Sequence, residues 1–492
     1  MKISIQKAKN GEDTALADGH FLHSNYAPVK EAQRFAENLT LPFKAEKLII
    51  LEPALSYAAD YIRARFPDLK IGAVRYEKAF AQFNSKFDFV LNYYEHEDFT
   101  SYLEQIFNEE ELLSTCFISW PASAQVYKDI EKNIWISLKS AMERAKTLLI
   151  TRQYFEKKWL FNTFRFLSNV KHTVSFEGLI ENDILIISSG PSLIPFIDII
   201  HKYQNNFFII CLSSAISLCQ KYNIKADLYM TTDGGYWAGQ HLKKITQTNI
   251  PLAMPAEAFC NIDLLHKANI LPLIYGDGIS KELTLKSGIT FKKAVRNGTV
   301  SGTALLFAAQ YSTKNIYFSG LDLACQKGFQ HTQPNELEIN NSIFDNRIKN
   351  KNTRLIRSEL TNGSLDIYRD WFISNNLNLK NRSVYRLIEK DSAMNNLQWI
   401  KDLSLKDFSL HLKNETEEKE NIFFKTNYQF DPESFSSLLN NSEKIEHWKH
   451  QLFPLDYVSL SHNIDNKEIK DKIDDEWKKL KIKISGLLNE NI

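Results

Sequence analysis

A few groups of residues in the middle of this 492-residue chain have types and spacings that could do chemistry. Ser189-Gly190-Pro191-Ser192 follows the apolar run Asp183-Ile184-Leu185-Ile186-Ile187. Glycine lets a backbone turn sharply and approach a ligand, and proline suits an early helix position. A helix start offers free N–H groups and partial positive charge, which together make a seat for phosphate. Ser213 closes a second apolar run, Phe207-Phe208-Ile209-Ile210-Cys211-Leu212. Asp233 closes a third, Leu228-Tyr229-Met230-Thr231-Thr232, and precedes Gly234-Gly235. A carboxylate there can hold a ribose hydroxyl or a metal, and the plainer alternative is a turn cap. Thr299, Ser301 and Thr303 crowd the start of the apolar segment Ala304–Ala309. One hydroxyl serves as an N-cap, and the surplus fits a second contact to phosphate or sugar. Asp322 ends the run Ile316-Tyr317-Phe318-Ser319-Gly320-Leu321, and His331 follows in the polar loop Gly328–Thr332. A neutral imidazole past a sheet edge can act as a general base, against the plainer reading of a solvated loop histidine.

The elements that position these residues follow from periodicity. Continuous β-branched runs separated by helix-length segments read as a buried parallel sheet, with ligands at the strand ends. Residues 176–385 are therefore expected to form a central Rossmann-like α/β domain. Residues 1–120 carry their own rhythm: helices at Pro28–Glu37 and Ser56–Phe66, strands at Lys47–Leu51, Lys70–Val74 and Phe87–Tyr93. After its first strand a dinucleotide-binding unit would carry G-x-G-x-x-G, but Glu52-Pro53-Ala54-Leu55-Ser56-Tyr57 holds no glycine. This predicts a degenerate Rossmann-like α/β domain with a structural or partner-binding role. Residues 121–175 read as a helical connector and 386–492 as a mostly helical C-terminal region. Its final stretch Asp465–Leu488 spaces Ile469, Ile473, Trp477, Leu480, Ile484 and Leu487 as one apolar helix stripe.

Composition bounds the function. Net charge is +1, so nothing drives the chain toward nucleic acid or an anionic membrane. No apolar run reaches the ~18–20 residues of a membrane span, and the N-terminus lacks a signal-peptide core. Five scattered cysteines form no Cys-x-x-Cys pair, which fits packing thiols in a reducing cytoplasm. P-loop, nucleophile-elbow and HExxH motifs are absent, so the chain does not look like a P-loop kinase, an α/β-hydrolase or a zincin.

At Ser189–Leu193, Ser213-Ser214-Ala215, Ile224–Asp227 with Thr232-Asp233, Val300-Ser301, Ile316–Leu323 and His331, the sequence resembles the motility accessory factor family of flagellin glycosyltransferases. Their central domain is shared with archaeal 6-hydroxymethylpterin diphosphokinases and is similar in fold to bacterial sialyltransferases. Leu22–Ala32 also resembles the family's N-terminal domain. The resemblance covers most of residues 20–400. It implies transfer of a nonulosonic acid, pseudaminic or legionaminic in type, from its CMP conjugate to Ser or Thr of flagellin. In that reading His331 is the base and Asp322 its orienting partner. Ser189, Gly190, Pro191, Ser192, Ser213, Asp233, Thr299, Ser301 and Thr303 bind the donor, no residue is assigned to a metal, and a need for Mg²⁺ stays open. Two departures are the Glu52–Tyr57 turn and Asp233-Gly234-Gly235, where the family continues Asp-Pro or Asp-Gln. Two rivals stand beside it: pyrophosphate transfer from ATP to a pterin, with Asp233 and Asp322 linked to Mg²⁺, and a non-catalytic flagellin-binding protein.

Overall fold

The computed structural model describes all residues except 244, 246–247, 325–330, 354–362, 376, 378, 380–381, 390–395, 414–418, 463–465 and 490–492. The chain forms two compact units, Met1–Glu156 with Ile445–Lys479 and Lys157–Lys444 with Leu480–Ile492. The fold is mixed α/β with parallel sheets and helices toward the C-terminus.

The first unit opens with an antiparallel ribbon of β1 (Ile3–Lys7), β2 (Asp13–Ala17) and β3 (His20–Phe21). Next come β4 (Lys47–Leu51), β5 (Lys70–Arg75), β6 (Phe89–Asn92) and β7 (Thr115–Ser119). They form a parallel sheet in the order β6-β5-β4-β7. Side chains alternate between its faces. Leu48, Ile50, Ile71 and Ala73 join one core with Ala32, Ala36, Ala58 and Ile62 of the helices Pro28–Asn38 and Tyr57–Arg65. Ile49, Leu51, Val74 and Leu91 join the other core.

The glycine-free turn after β4 folds all the same. Glu52, Ala54 and Ser56 take positive φ angles of 36°, 45° and 64°, a region that costs an ordinary side chain energy. Arg75, at the end of β5, supplies the compensation. Its guanidinium donates to Glu52 Oε1 at 3.0 Å, to the Ala54 carbonyl at 2.9 Å and to Ser56 Oγ at 2.7 Å. Glu52 and Arg75 are both fully buried. Burial pushes the Glu52 carboxyl up, and the Arg75 charge opposes that shift. A protein cation thus fills the turn where a dinucleotide would lay its phosphates.

The second unit is built on one large sheet. Its strands are β8 (His172–Ser175), β9 (Asp183–Ile187), β10 (Phe207–Leu212), β11 (Leu228–Met230), β12 (Leu252–Pro255), β13 (Asn269–Ile274), β14 (Lys292–Lys293), β15 (Ile316–Ser319), β16 (Val384–Leu387), β17 (Lys401–Leu403) and β18 (Phe424–Thr426). The order is β17-β16-β15-β9-β10-β11-β12-β13-β8-β18, with β14 also on β13. All pairs are parallel except β18 on β8. Ile184, Leu185, Ile186 and Ile187 of β9 have no solvent exposure, as a strand covered on both faces requires. Each buried aliphatic side chain contributes about 2 kcal/mol of transfer free energy. From β9 the chain steps outward through β10, β11, β12 and β13, then returns to place β15 on the other side of β9. The order reverses between β9 and β15, and ligands of open α/β sheets bind in the crevice at such a point.

Residues Lys128–Asn169, within the stretch read as a connector, form one 42-residue helix. Within 386–492, β17 and β18 join the large sheet with the short helix Leu405–Ser409 between them, and the run of helices from Pro432 follows. In the last helix, Lys467–Asn489, the buried stripe is Ile473, Trp477, Leu480, Ile484 and Leu488, so Leu488 takes the place expected for Leu487.

Candidate functional site

The residues singled out in the sequence gather at the C-terminal edge of the large sheet, on both sides of the reversal. After β9 the chain runs Ser188, Ser189, Gly190. After β15 it turns through Gly320, at φ 78°, and Leu323, at φ 49°. The two turns are pinned together. Ser188 N–H donates to the Ser319 carbonyl at 2.8 Å and Gly190 N–H to the Gly320 carbonyl at 2.9 Å. The approach leaves no room for side chains. A Cβ on Gly190 would stand 2.5 Å from both the Gly320 oxygen and Asp322 Cγ.

This geometry alters the phosphate seat expected at Gly190–Ser192. Asp322 Oδ2 accepts from Ser192 N–H at 2.9 Å. Gly190 N–H is used by Gly320, and Pro191 has no N–H to give. The first turn, a short 3₁₀ helix Pro191–Phe196, therefore spends its donors on the protein's own carboxylate. Asp322 is 5% exposed, and burial raises its pKa while the Ser192 bonds and Arg386 oppose the rise. Its Oδ1 has no hydrogen-bond partner. Asp322 locks the two turns together and does not touch His331 through any bond of the structure's described residues.

His331 is held by the turn after β9. Its Nδ1 lies 2.6 Å from Ser189 Oγ, which lies 2.8 Å from Ser214 Oγ. The next residue, Thr332, donates its N–H to the Ser189 carbonyl at 2.6 Å. Burial lowers the His331 pKa to about 4, helped by nearby His241 and opposed by Glu338. The imidazole is therefore neutral near pH 7. The expected loop residues 328–330 lie outside the described residues. Ser213 is buried at the end of β10, while Ser214 beside it carries the contact to Ser189.

The hydroxyls at 299–303 divide. The 12-residue helix Val300–Tyr311 is capped by Thr299, whose Oγ1 accepts from Gly302 N–H at 2.9 Å. Ser301 Oγ reaches Ser188 Oγ at 3.3 Å, which sets this helix start over the end of β9. Thr303 is fully buried and donates to the Val295 carbonyl at 3.3 Å, a structural bond that takes it out of the donor set. Asp233 lies three residues beyond the end of β11 and is exposed. Its Oδ1 accepts from Gly235 N–H at 2.7 Å, so the carboxylate caps its own turn while remaining open to solvent.

Several neighbours gave no signal in the sequence. His241, buried in the 3₁₀ helix Tyr236–Leu242, lowers His331 electrostatically, yet it follows no strand end. Arg296 is ion-paired with Glu257 at 2.7 Å and Asp277 at 3.3 Å and lies over the Trp159 ring at 4.5 Å. Trp159 also packs against Gly234. Burial pulls the Arg296 pKa down, and its two carboxylates more than offset this. Among the described residues no group of three or more His, Cys, Asp or Glu is placed to hold a metal ion, and no helix is long and apolar enough to cross a membrane.

This arrangement has relatives. Residues 157–328 match the family described as 6-hydroxymethylpterin diphosphokinase MptE-like. The middle of the chain is therefore similar to that family. The match begins within the long helix and ends just past the β15 turn, so it spans the strand-order reversal and stops short of His331. An uncharacterized protein of Treponema pallidum (strain Nichols) is 26% identical over 312 residues, 63% of this chain and 68% of that protein. The structure of MAf glycosyltransferase from Magnetospirillum magneticum AMB-1 superposes with a TM-score of 0.50 at 12% identity, over 99% of this chain and 91% of that one. At that identity the likeness is one of fold. The MptE-like match and the likeness of fold to MAf together support the motility accessory factor resemblance drawn from the sequence.

Proposed function

We infer that the protein is a glycosyltransferase that takes a sugar from a nucleotide-activated donor, in finer terms a nonulosonic acid from its CMP conjugate to Ser or Thr of flagellin. The observation that carries this reading is the neutral His331 held by Ser189 at the strand-order reversal. Sugar transfer by single displacement asks for an anion site, a sugar-hydroxyl partner and a base, and needs no enzyme nucleophile. With the Gly190–Ser192 turn occupied by Asp322, the donor phosphate is assigned to the start of the helix Val300–Tyr311. There Ser301 and Ser188 present a hydroxyl pair beside the positive end of the helix dipole, next to the cap Thr299, whose own hydroxyl donates to Asn297 Oδ1 at 3.2 Å. Asp233 takes ribose hydroxyls.

In this scheme the C–O bond between the anomeric carbon and the phosphate breaks, and the nucleotide leaves with the bonding pair. Positive character grows on the anomeric carbon. The acceptor hydroxyl attacks, and His331 takes its proton. The tautomer this needs carries hydrogen on Nδ1, donated to Ser189 Oγ, which leaves Nε2 free as the base. Ser189 in turn donates to Ser214, so the pair fixes the ring for its task.

The family description also keeps pyrophosphate transfer in view. In the version where Asp233 and Asp322 share a Mg²⁺, geometry opposes it. They follow β11 and β15, three strand spacings apart, or ~14 Å. Asp322 is also buried on Ser192. Calorimetry with CMP and ATP separates the two reactions. CMP binding with no ATP binding supports transfer of a sugar, and the reverse supports the kinase. Mass spectrometry of flagellin from cells with and without this protein tests the acceptor. An unchanged flagellin mass overturns that part of the proposal.

A further inference from the structure

Two adjacent aromatic rings stand in water beside Asp233. Tyr236 is 58% exposed and Trp237 is 60% exposed, the most exposed of the chain's eight tryptophans. Folding normally buries indole surface, so an exposed ring on a well-formed element needs a reason. This element is well formed. Asp233 Oδ1 accepts from Gly235 N–H at 2.7 Å, and the Asp233 carbonyl accepts from Phe259 N–H at 2.9 Å. Phe259 then props Tyr236 edge-on, with centroids 5.5 Å apart, and Tyr236 meets Trp237 at 5.6 Å with planes 74° apart. The turn that presents the Asp233 carboxylate therefore also fixes both rings.

We propose that Tyr236 and Trp237 form the nucleobase platform of the donor site, with Asp233 on the adjoining ribose. This rests on the nucleotide-donor reading given above. Because the ring planes are nearly perpendicular, a planar base stacks on one ring and meets the other at its edge. A carboxylate beside an aromatic face suits a nucleoside, which offers a flat base and two ribose hydroxyls in succession. The spacing agrees. Five steps of 3₁₀ helix, ~10 Å, lead from Tyr236 to His241, which lies near His331. A nucleoside monophosphate is about as long, so a base on these rings directs its phosphate toward the His331 end, where Ser189 adjoins Ser188 of the assigned phosphate seat. Stacking is tolerant of base identity, so the platform supplies affinity, while the choice among bases falls to other groups.

The test is titration of the full chain with CMP, and with ribose 5-phosphate as a probe lacking the base. Loss of one stacked base should weaken CMP roughly tenfold to a hundredfold in the Tyr236→Ala/Trp237→Ala double variant. Trp237→Phe should stay within about threefold of wild type, and ribose 5-phosphate binding should not change in either variant. Both rings are on the surface, so the variants should keep the wild-type circular dichroism and melting temperature. In the wild type, CMP should quench indole emission, and Trp237→Phe should abolish that quenching. If the wild type binds CMP and the double variant binds it equally well, the platform is overturned and the donor reading stands. If the wild type binds neither CMP nor any other nucleotide, both fall.

Discussion

Protonation of His331 offers the sharpest test of the site. Its side chain is half-buried and lies near His241, and these factors lower its pKa from 6.5 to about 4. A change of that size corresponds to about 3 kcal/mol of preference for the neutral ring. The sign follows from linkage. Between pH 4 and 6.5 the unfolded chain binds a proton at this position that the folded chain does not. This contribution to stability is complete above about pH 6.5 and is lost as pH falls toward 4. Replacing His331 by Gln should flatten the stability profile across that window. The ring can be followed directly by NMR of protein labelled at its histidines, with His331→Gln assigning the signal. The free protein should titrate near pH 4, and bound CMP should raise that value, because an anion beside the ring favours imidazolium. Turnover should fall ~10²–10⁴-fold in His331→Ala with donor affinity unchanged. A free-protein titration near 6.5, or full turnover in His331→Ala, would refute the assignment.

Other substitutions test the frame. Glu52→Gln leaves the buried Arg75 charge without its counter-ion and should cost ~3–5 kcal/mol of first-unit stability, read by urea unfolding. A cost under about 1 kcal/mol would mean that the pair does not support the turn. Gly320→Ala puts a Cβ into the Ser188 carbonyl at a backbone φ of 78°. It should destabilise by ~2–4 kcal/mol, and an unchanged melting temperature would show that the two turns can move apart. Thr299→Ala removes an N-cap and should cost ~1 kcal/mol of stability. It should also weaken CMP, and unchanged affinity would move the phosphate off this helix start. Ser189→Ala should lower turnover while leaving CMP affinity intact, and it should shift the His331 titration, since it frees Nδ1. An unmoved titration would show that Ser189 does not hold the ring.

The strands around the site were legible because burial on both faces leaves a plain mark. Ile184–Ile187 and Phe207–Leu212 are unbroken apolar runs, and each is a strand of the large sheet. The strand ends were legible for the same reason, since a small or polar residue must follow where the sheet meets solvent. What the sequence could not convey is which polar groups satisfy one another. The Ser192 N–H looks like a free donor until Asp322, 130 residues away, is seen to accept from it. Thr303 looks like one more hydroxyl at a helix start until its bond to Val295 shows that it faces the core. His241 lies in a helical stretch with no strand-end context, and only the packing brings it near His331.

Both parallel sheets share a device that bears on where chemistry can occur. Each has a turn after a central strand, the place where related folds grip phosphate. In the first unit Arg75 fills that turn and holds three left-handed residues without a glycine. In the second unit Asp322 fills it, a carboxylate sitting where a phosphate oxygen would. The two plugs carry opposite charges because the turns present opposite groups. Glu52 and the Ala54 carbonyl call for a cation, whereas the Ser192 N–H calls for an anion. A turn closed by its own side chain gains rigidity and gives up its ligand. Rigidity is what the neighbouring groups need, since Ser189 must hold His331 to a fraction of an ångström for proton transfer. The Asp322 lock therefore belongs to the scaffold of the base. The donor is left to the unsealed edge, from Asp233 to the hydroxyls of Ser188 and Ser301 beside the Thr299 cap.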